Sequence, residues 1–264
     1  MRVIVCIKPV PDPKYWNRLR FEAKTKTLVR EGVPSIINTL DKNALEEALR
    51  LREKVDGEVI VLSLAPLDGI SVLREALAMG ADRAILISDK IFAGSDTLAT
   101  AYILSTAMTK LGAYDIILCG DQTLDSGTGQ VSTQIAEFLD IPNLMHIIAI
   151  ELTDEAQFLV KSQIEHGYML VEIGVPMVLS VANQINEPRY TTLRNILQAE
   201  QKDIEVWSSG ELNLSEQFVG LAGSSTQMGD FIFPEKKKKA EMLQGSPEEQ
   251  AAELSDRLHR LGFH

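Results

Sequence analysis

DIILCGDQTLDSGTGQVSTQIAEFLD, residues Asp115 to Asp140, runs from a buried strand through a glycine-bearing loop into a helix, and this passage decides the fold. Asp115 to Gly120 is almost continuously apolar, the pattern of a strand covered on both faces. Gly127 and Gly129 follow among Ser126, Thr128, Ser132 and Thr133, and Val131 to Leu139 then has helical apolar spacing. Glycine lets a backbone approach a ligand closely. The free N–H groups of a helix start attract anions by hydrogen bonding and through the helix dipole. The segment is a candidate cradle for phosphate or pyrophosphate. It has neither the Gly-Lys-Ser/Thr of a Walker loop nor the GxGxxG dinucleotide fingerprint. Alone, it supports a nucleotide-binding α/β protein, with a ligand-free strand-to-helix turn as the plainer alternative.

Working outward, three more apolar runs read as strands: Arg2 to Lys8, Glu58 to Ala65 and Arg83 to Ser88. Helical patterns lie between them, at Asp41 to Val55, Val72 to Met79 and Thr97 to Leu111. Strand, helix, strand at this spacing predicts a parallel sheet with helices on both faces. Arg18 to Asn38, with Lys24-Thr25-Lys26-Thr27 at its centre, interrupts the rhythm as a polar hairpin. After Pro142 come short strands at His146 to Glu151, Gln157 to Ile164, Tyr168 to Glu172 and Met177 to Val181. Turns at Thr153-Asp154-Glu155 and His166-Gly167 separate them, which suits an antiparallel or mixed extension. Apolar periodicity thins beyond Gln201. Ser208 to Gly245, with Lys236 to Lys239, reads as a solvated linker. Ser246, Pro247 and Glu249 form a capping box and first turn. Leu254, Leu258 and Leu261 make a narrow apolar seam on the helix that follows, which is expected to dock on a partner subunit. The expected division is an α/β domain over 1–207 and a linker with a docking helix over 208–264.

The 264 residues are 45% hydrophobic and 24% charged, an ordinary globular profile. The net charge of −11 argues against nucleic acid and against an anionic membrane surface. No apolar run approaches the roughly 20 residues of a membrane span. Met1 to Lys8 reads as a strand, not a signal peptide. Cys6 and Cys119 read as packed thiols in a reducing, cytoplasmic compartment. His146, His166, His259 and His264 show no metal-ligand spacing. Gly-x-Ser-x-Gly is absent, which disfavours a hydrolase.

Ligands of open α/β sheets bind at strand carboxyl ends, and three further loops fall there. CIKPVPD, Cys6 to Asp12, leaves its strand through Pro9 and Pro11, a stiff exit that lines an adenine or is simply rigid. INTLDKN, Ile37 to Asn43, opens a helix; Asp41 is most simply its N-cap, and Asn38 is a turn former or a ligand contact. FAGSDTLATA, Phe92 to Ala101, places Asp96 and Thr97 at a helix start, as a cap or beside a ribityl or phosphate group.

CIKPVPD, ALAMGADRAILI (Ala76 to Ile87), the Gly120 to Asp140 loop and NEPRYTTLRNI (Asn186 to Ile196) occur here in family order and spacing. Over about the first 210 residues the chain resembles the β subunit of electron-transfer flavoproteins. The resemblance implies a Rossmann-like α/β fold with a C-terminal arm embracing an α subunit. It also implies an adenylate pocket lined by Cys6, Asn38, Asp41, Leu64 and the stretch Asp125, Ser126, Gly127, Thr128, Gly129, Gln130, Val131, Ser132, Thr133, Gln134. VPSIINTLDKNALEEALRLREK, FAGSDTLATAYIL and Thr128 to Val131 are similar to the electron-bifurcating and nitrogen-fixation-associated branch. There the pocket holds FAD, which takes hydride from NADH; one electron goes to ferredoxin or flavodoxin and the other, through the α subunit, to an acyl-CoA or 2-hydroxy-acid dehydrogenase. The phosphate loop departs from that branch, with Gly127 for an acidic residue, Gly129 for alanine and Ser132-Thr133 for Gly-Pro. Backbone amides still supply the anion site. The resemblance further implies that Leu193, with Arg189 beside it, docks on the dehydrogenase. The alternatives are a β subunit carrying structural AMP, and an ATP-binding stress-type module, which would leave the NEPRY segment without a role.

Overall fold

Val3, Ile4 and Val5, all fully buried, form the centre of a sheet in which alternate side chains enter two different cores. A computed structural model describes the chain except residues 23–26, 30–31, 154–156, 228, 230–239 and 264, with backbone only for 21–22 and 27–29. Lys24 to Lys26 of the hairpin, Asp154 and Glu155 of a turn, and Lys236 to Lys239 therefore lie outside the described residues. The described chain forms two compact units, Met1–Met228 and Gly229–His264.

The first unit opens with β1 (Arg2–Cys6), β2 (Pro9–Pro11), β3 (Arg20–Glu22), β4 (Thr27–Val29), β5 (Ser35–Ile37) and α1 (Thr39–Lys54). Next come β6 (Glu58–Leu64), α2 (Ile70–Met79), β7 (Arg83–Ile87), α3 (Thr97–Leu111), β8 (Ile116–Gly120) and α4 (Val131–Leu139). The unit ends with β9 (Asn143–Leu152), β10 (Phe158–Ile164), β11 (Gly167–Ile173), β12 (Met177–Val181), α5 (Leu193–Glu200), β13 (Glu205–Trp207) and α6 (Gly220–Gly223). Nine strands make one sheet in the order β11-β10-β9-β12-β8-β1-β6-β7-β13. Pairing is parallel from β9 through β13, and β10 is antiparallel to both β9 and β11. The α/β parallel sheet and its mixed extension thus form as their patterns dictate.

Continuous apolar runs fit this sheet because helices cover both faces. Val3, Val5, Val59 and Val61 pack with Leu45 and Leu49 of α1 and Leu73 and Leu77 of α2. Ile4, Ile60 and Ile117 turn to the other face, against Ile103 and Leu104 of α3 and Ile135 of α4. The expected hairpin is present as the antiparallel pair β3–β4, with Phe21 opposite Leu28.

One expectation changes. The chain beyond Gln201 was to lose its core periodicity, yet Glu205 to Trp207 adds a strand beside Ile85 to Ile87. Leu212 and Val219 are buried in the α3–α4 core. A three-residue strand with one buried side chain carries no measurable period, so backbone pairing, not sequence pattern, places it.

In the second unit α7 (Pro247–Arg260) has the expected capping box: Ser246 Oγ accepts from Glu249 N, and Glu249 accepts from Ser246 N at 2.8 Å. Leu254, Leu258 and Leu261 are exposed. Among the described residues no helix is long and apolar enough to cross a membrane.

Candidate functional site

Chain order and sheet order together locate the crevice. From β1 the chain steps outward through β6 and β7, then returns to place β8 on the other side of β1. The order reverses between β1 and β8, and a crevice opens outside the carboxyl ends of strands at such a point. Cys6 ends β1, Gly120 ends β8 and Leu64 ends β6. Pro9 is buried in the short β2–β5 ladder, opposite Ile37, so the stiff exit becomes a wall of this crevice.

Asp41 is the tie at its floor. As an N-cap it would precede the helix; instead α1 begins at Thr39, Asn38 flanks it without a side-chain cap, and Asp41 lies inside the first turn. Its carboxylate accepts from Lys8 N at 2.8 Å, Gly120 N at 3.2 Å and Asn38 Nδ2 at 3.0 Å. One buried side chain thus joins the exits of the two strands at the switch point. Burial raises its pKa to about 7, against the lowering effect of these donors and of the Lys8 charge. Asn38, fully buried, donates to Gln122 O at 2.9 Å and accepts from Leu124 N at 3.1 Å. Its amide is committed to holding the loop. Gly120 permits the approach of α1, since a Cβ there would lie 2.5 Å from Asp41 Oδ1 and 2.7 Å from the Leu40 carbonyl carbon. Gly120→Ala is therefore expected to cost a few kcal/mol, about 2–4 by the scale of overpacking and broken buried hydrogen bonds. A drop in Tm of many degrees would show it; an unchanged Tm would contradict the tight packing.

The loop after β8 presents its backbone. Gly127 and Gly129 have φ of 60° and 63°, the left-handed region glycine favours. A side chain at Gly129 would press on Asp121 O at 3.2 Å. Gly127 N donates to Thr123 O at 2.9 Å, and Thr123 Oγ1 and Ser126 Oγ lie 2.8 Å apart. Among the described residues no protein acceptor engages the amides of Ser126, Thr128, Gly129 or Gln130. The first-turn amides of α4, Val131 to Thr133, have no helical partner by geometry. Gln134 Oε1, one turn further on, is buried without a hydrogen-bond partner. Amide donors on glycine backbone fit a phosphate group, and the orphaned Gln134 carbonyl, an acceptor, calls for a hydroxyl or N–H donor beside it.

Around this loop the remaining residues divide. Lys8 Nζ lies 2.7 Å from Asp125 Oδ1 and 3.4 Å from Ser126 Oγ, a cation beside the cradle that sequence reading did not single out. Thr97 Oγ1 donates to Gln130 Oε1 at 3.0 Å, tying α3 to the loop. Asp96 is the cap of α3: it accepts from Ala99 N at 3.0 Å and from Thr226 N at 2.8 Å. Thr133 Oγ1 donates to Asn143 Oδ1 at 3.1 Å. Ser132 is buried.

A second missed feature is the pair Asp121 and His146. Asp121 accepts from His146 N at 2.9 Å and Ser180 Oγ at 2.7 Å, and its other oxygen lies 2.9 Å from His146 Nδ1. His146 adopts φ 55°, a left-handed conformation that a non-glycine residue holds only when its surroundings fix it. The two residues are far apart in sequence and meet only through the β8–β12–β9 order, so no local signal announces them.

The segment before α5 is anchored on α1. Arg189 Nε and Nη1 bind Glu46 Oε2 at 2.8 Å and Glu53 Oε1 at 2.6 Å. Asn186 and Asn43 exchange hydrogen bonds, and Asn186 Nδ2 also reaches Glu47 Oε2 at 3.0 Å. Arg189, expected beside Leu193 at the docking surface, is engaged with α1 and remains part-exposed. Tyr190, Leu193 and Leu197 are left outward, Tyr190 93% and Leu193 73% exposed. Leu193 opens α5 and is not part of the core.

Comparison with known proteins agrees with this fold. Residues 25–212 match the electron transfer flavoprotein domain. The chain is 43% identical over 260 residues to the electron transfer flavoprotein subunit beta of Thermoanaerobacterium thermosaccharolyticum, covering 98% of each chain. It is 39% identical over 247 residues to the caffeyl-CoA reductase-Etf complex subunit CarD of Acetobacterium woodii, covering 93% of each. It is 38% identical over 251 residues to protein FixA of Azotobacter vinelandii, covering 92% of this chain and 88% of that one. The chain belongs to the electron transfer flavoprotein family, and within it to the beta-subunit type.

Proposed function

We propose that this chain is the β subunit of a heterodimeric, electron-bifurcating flavoprotein of the cytoplasm, with FAD in the β1–β8 crevice. The observation that carries the reading is the set of unengaged amides at Ser126 and from Thr128 into the first turn of α4, at the strand end beside the switch point. When bound, FAD supplies acceptance of hydride from NADH and release of single electrons toward ferredoxin or flavodoxin and, through the α-subunit flavin, toward a dehydrogenase. The protein's part is position and electrostatics. The loop amides take the diphosphate, Lys8 offsets its charge, and Asp41 and Asn38 hold the loop at a fixed height over the sheet. Cys6, Pro9 and Leu64 supply the apolar wall for the adenylate half.

Leu193 and its exposed neighbours form the docking surface for the dehydrogenase, and the Glu46–Arg189–Glu53 ion pairs fix the segment that carries them. The name of the caffeyl-CoA reductase-Etf complex subunit supports an acyl-CoA type of partner. The α7 seam supports an arm that docks on the α subunit. Cofactor extraction from the one-to-one pair tests the reading. Two FAD per heterodimer are expected; one FAD with one AMP overturns bifurcation in favour of a structural nucleotide.

A further inference from the structure

Cys6 and Cys119 are the chain's two cysteines, and the fold brings them side by side. The β1–β8 ladder pairs Val3 with Ile116, Ile4 with Ile117 and Val5 with Leu118. Continued by one step, the register sets Cys6 beside Cys119, and both side chains join the core on the α3–α4 face. The neighbouring Cys6 thiol and burial push the Cys119 thiol up. Cys119 is buried, whereas Cys6 is only part-buried at the strand end. Each cysteine adjoins an Asp41 donor: Gly120 N follows Cys119, and Lys8 N lies just beyond Cys6.

We infer that Cys6 and Cys119 form a reversible disulfide-forming site at the floor of the crevice, with a low-molecular-weight disulfide as oxidant. The Cys6 thiolate attacks the small disulfide, forming a mixed disulfide and releasing one small thiol. Cys119 then displaces the second small thiol and closes the Cys6–Cys119 bond. Two protein thiols are oxidised, one small disulfide is reduced to two thiols, and no other reactant is needed. Neighbouring strands stand about 4.7–4.9 Å apart, within the roughly 4.4–6.8 Å that a disulfide spans between Cα atoms, so the bond can close without moving the strands. Cys6, part-exposed at the strand end, leaves the bond open to attack by a small thiol.

The inference rests on the thiols, but Cys6 also lines the proposed adenylate wall, so the exchange is run both with the nucleotide bound and after its extraction, and the bond is expected at least in the extracted pair. The test exposes the full chain, assembled with its α subunit, to glutathione disulfide, then blocks free thiols with an alkylating agent and maps tryptic peptides without reductant. The expected result is a linked peptide pair bearing Cys6 and Cys119 in the majority of chains, lost on treatment with dithiothreitol. In Cys119→Ser, Cys6 should stop at the glutathione adduct. Two alkylated cysteines, separate glutathione adducts in the unsubstituted chain, or a Cys6 bond to another polypeptide would each overturn the proposal.

Discussion

Replacing Asp41 with alanine is expected to strip the crevice of its nucleotide and to destabilise the chain by several kcal/mol. The carboxylate is the shared acceptor for Lys8 N, Gly120 N and Asn38 Nδ2. Its removal leaves buried donors unsatisfied, at about 1–3 kcal/mol each. Against a total stability of about 5–15 kcal/mol this is a large fraction. The loop that presents the amides loses its tie at Gly120, and Asn38, which holds Gln122 and Leu124, loses its own partner. Asp41→Asn offers a milder variant that retains one acceptor oxygen.

The same residue gives a signature in pH. Its pKa rises from 3.8 to about 7 on folding, through burial. Between these values the folded state holds a proton the unfolded state has lost. Stability from this group is full below about 4 and falls as pH rises through 7, by about 1.4 kcal/mol per pH unit at most. Glu47, raised by burial, acts in the same direction. Glu46, lowered by the Arg189 and Arg50 contacts despite burial, acts oppositely, and its contribution is lost only on acidification. Denaturant melts at pH 5 and pH 8 check this: the native chain should lose more stability between them than Asp41→Asn does. Equal slopes would contradict the assignment.

Leu193→Ala is expected to weaken electron delivery to the dehydrogenase about 10- to 100-fold, leaving fold and bound cofactor as they were. Burying a leucine at an interface is worth about 1.5–3 kcal/mol. The 73% exposure of Leu193 in the chain means that truncation opens no cavity. The loss should appear as a higher KM for the partner protein, with unchanged Tm and flavin content. Parallel loss of flavin would instead show that Leu193 serves the fold.

The two examples separate what the sequence makes legible from what it hides. Thr97 to Leu111, Val131 to Leu139 and Met177 to Val181 fold at the bounds their patterns imply, because the apolar period or run is itself the packing surface. The glycines at 127 and 129 are legible for a similar local reason: left-handed backbone selects them. Asp41 looked like a cap because caps are local, whereas its actual partners lie on two strands that meet only in the sheet. The charge partners of Arg189 sit on α1, far away in the chain, and nothing in the local sequence announces them. Lys8 and the Asp121–His146 pair escaped notice for the same reason. Long-range polar contacts leave no period in a sequence, and in this chain they support the loops around the crevice.

The central claim is that the free amides between Ser126 and Gln134 grip the phosphates of an adenylate-containing cofactor. A density map of the chain assembled with its α subunit tests it most directly. The account predicts phosphate oxygens within hydrogen-bond distance of those amides, and an adenylate lying along the exits of β1 and β6. A crevice packed with side chains, or a cofactor whose phosphates bind elsewhere, would contradict it.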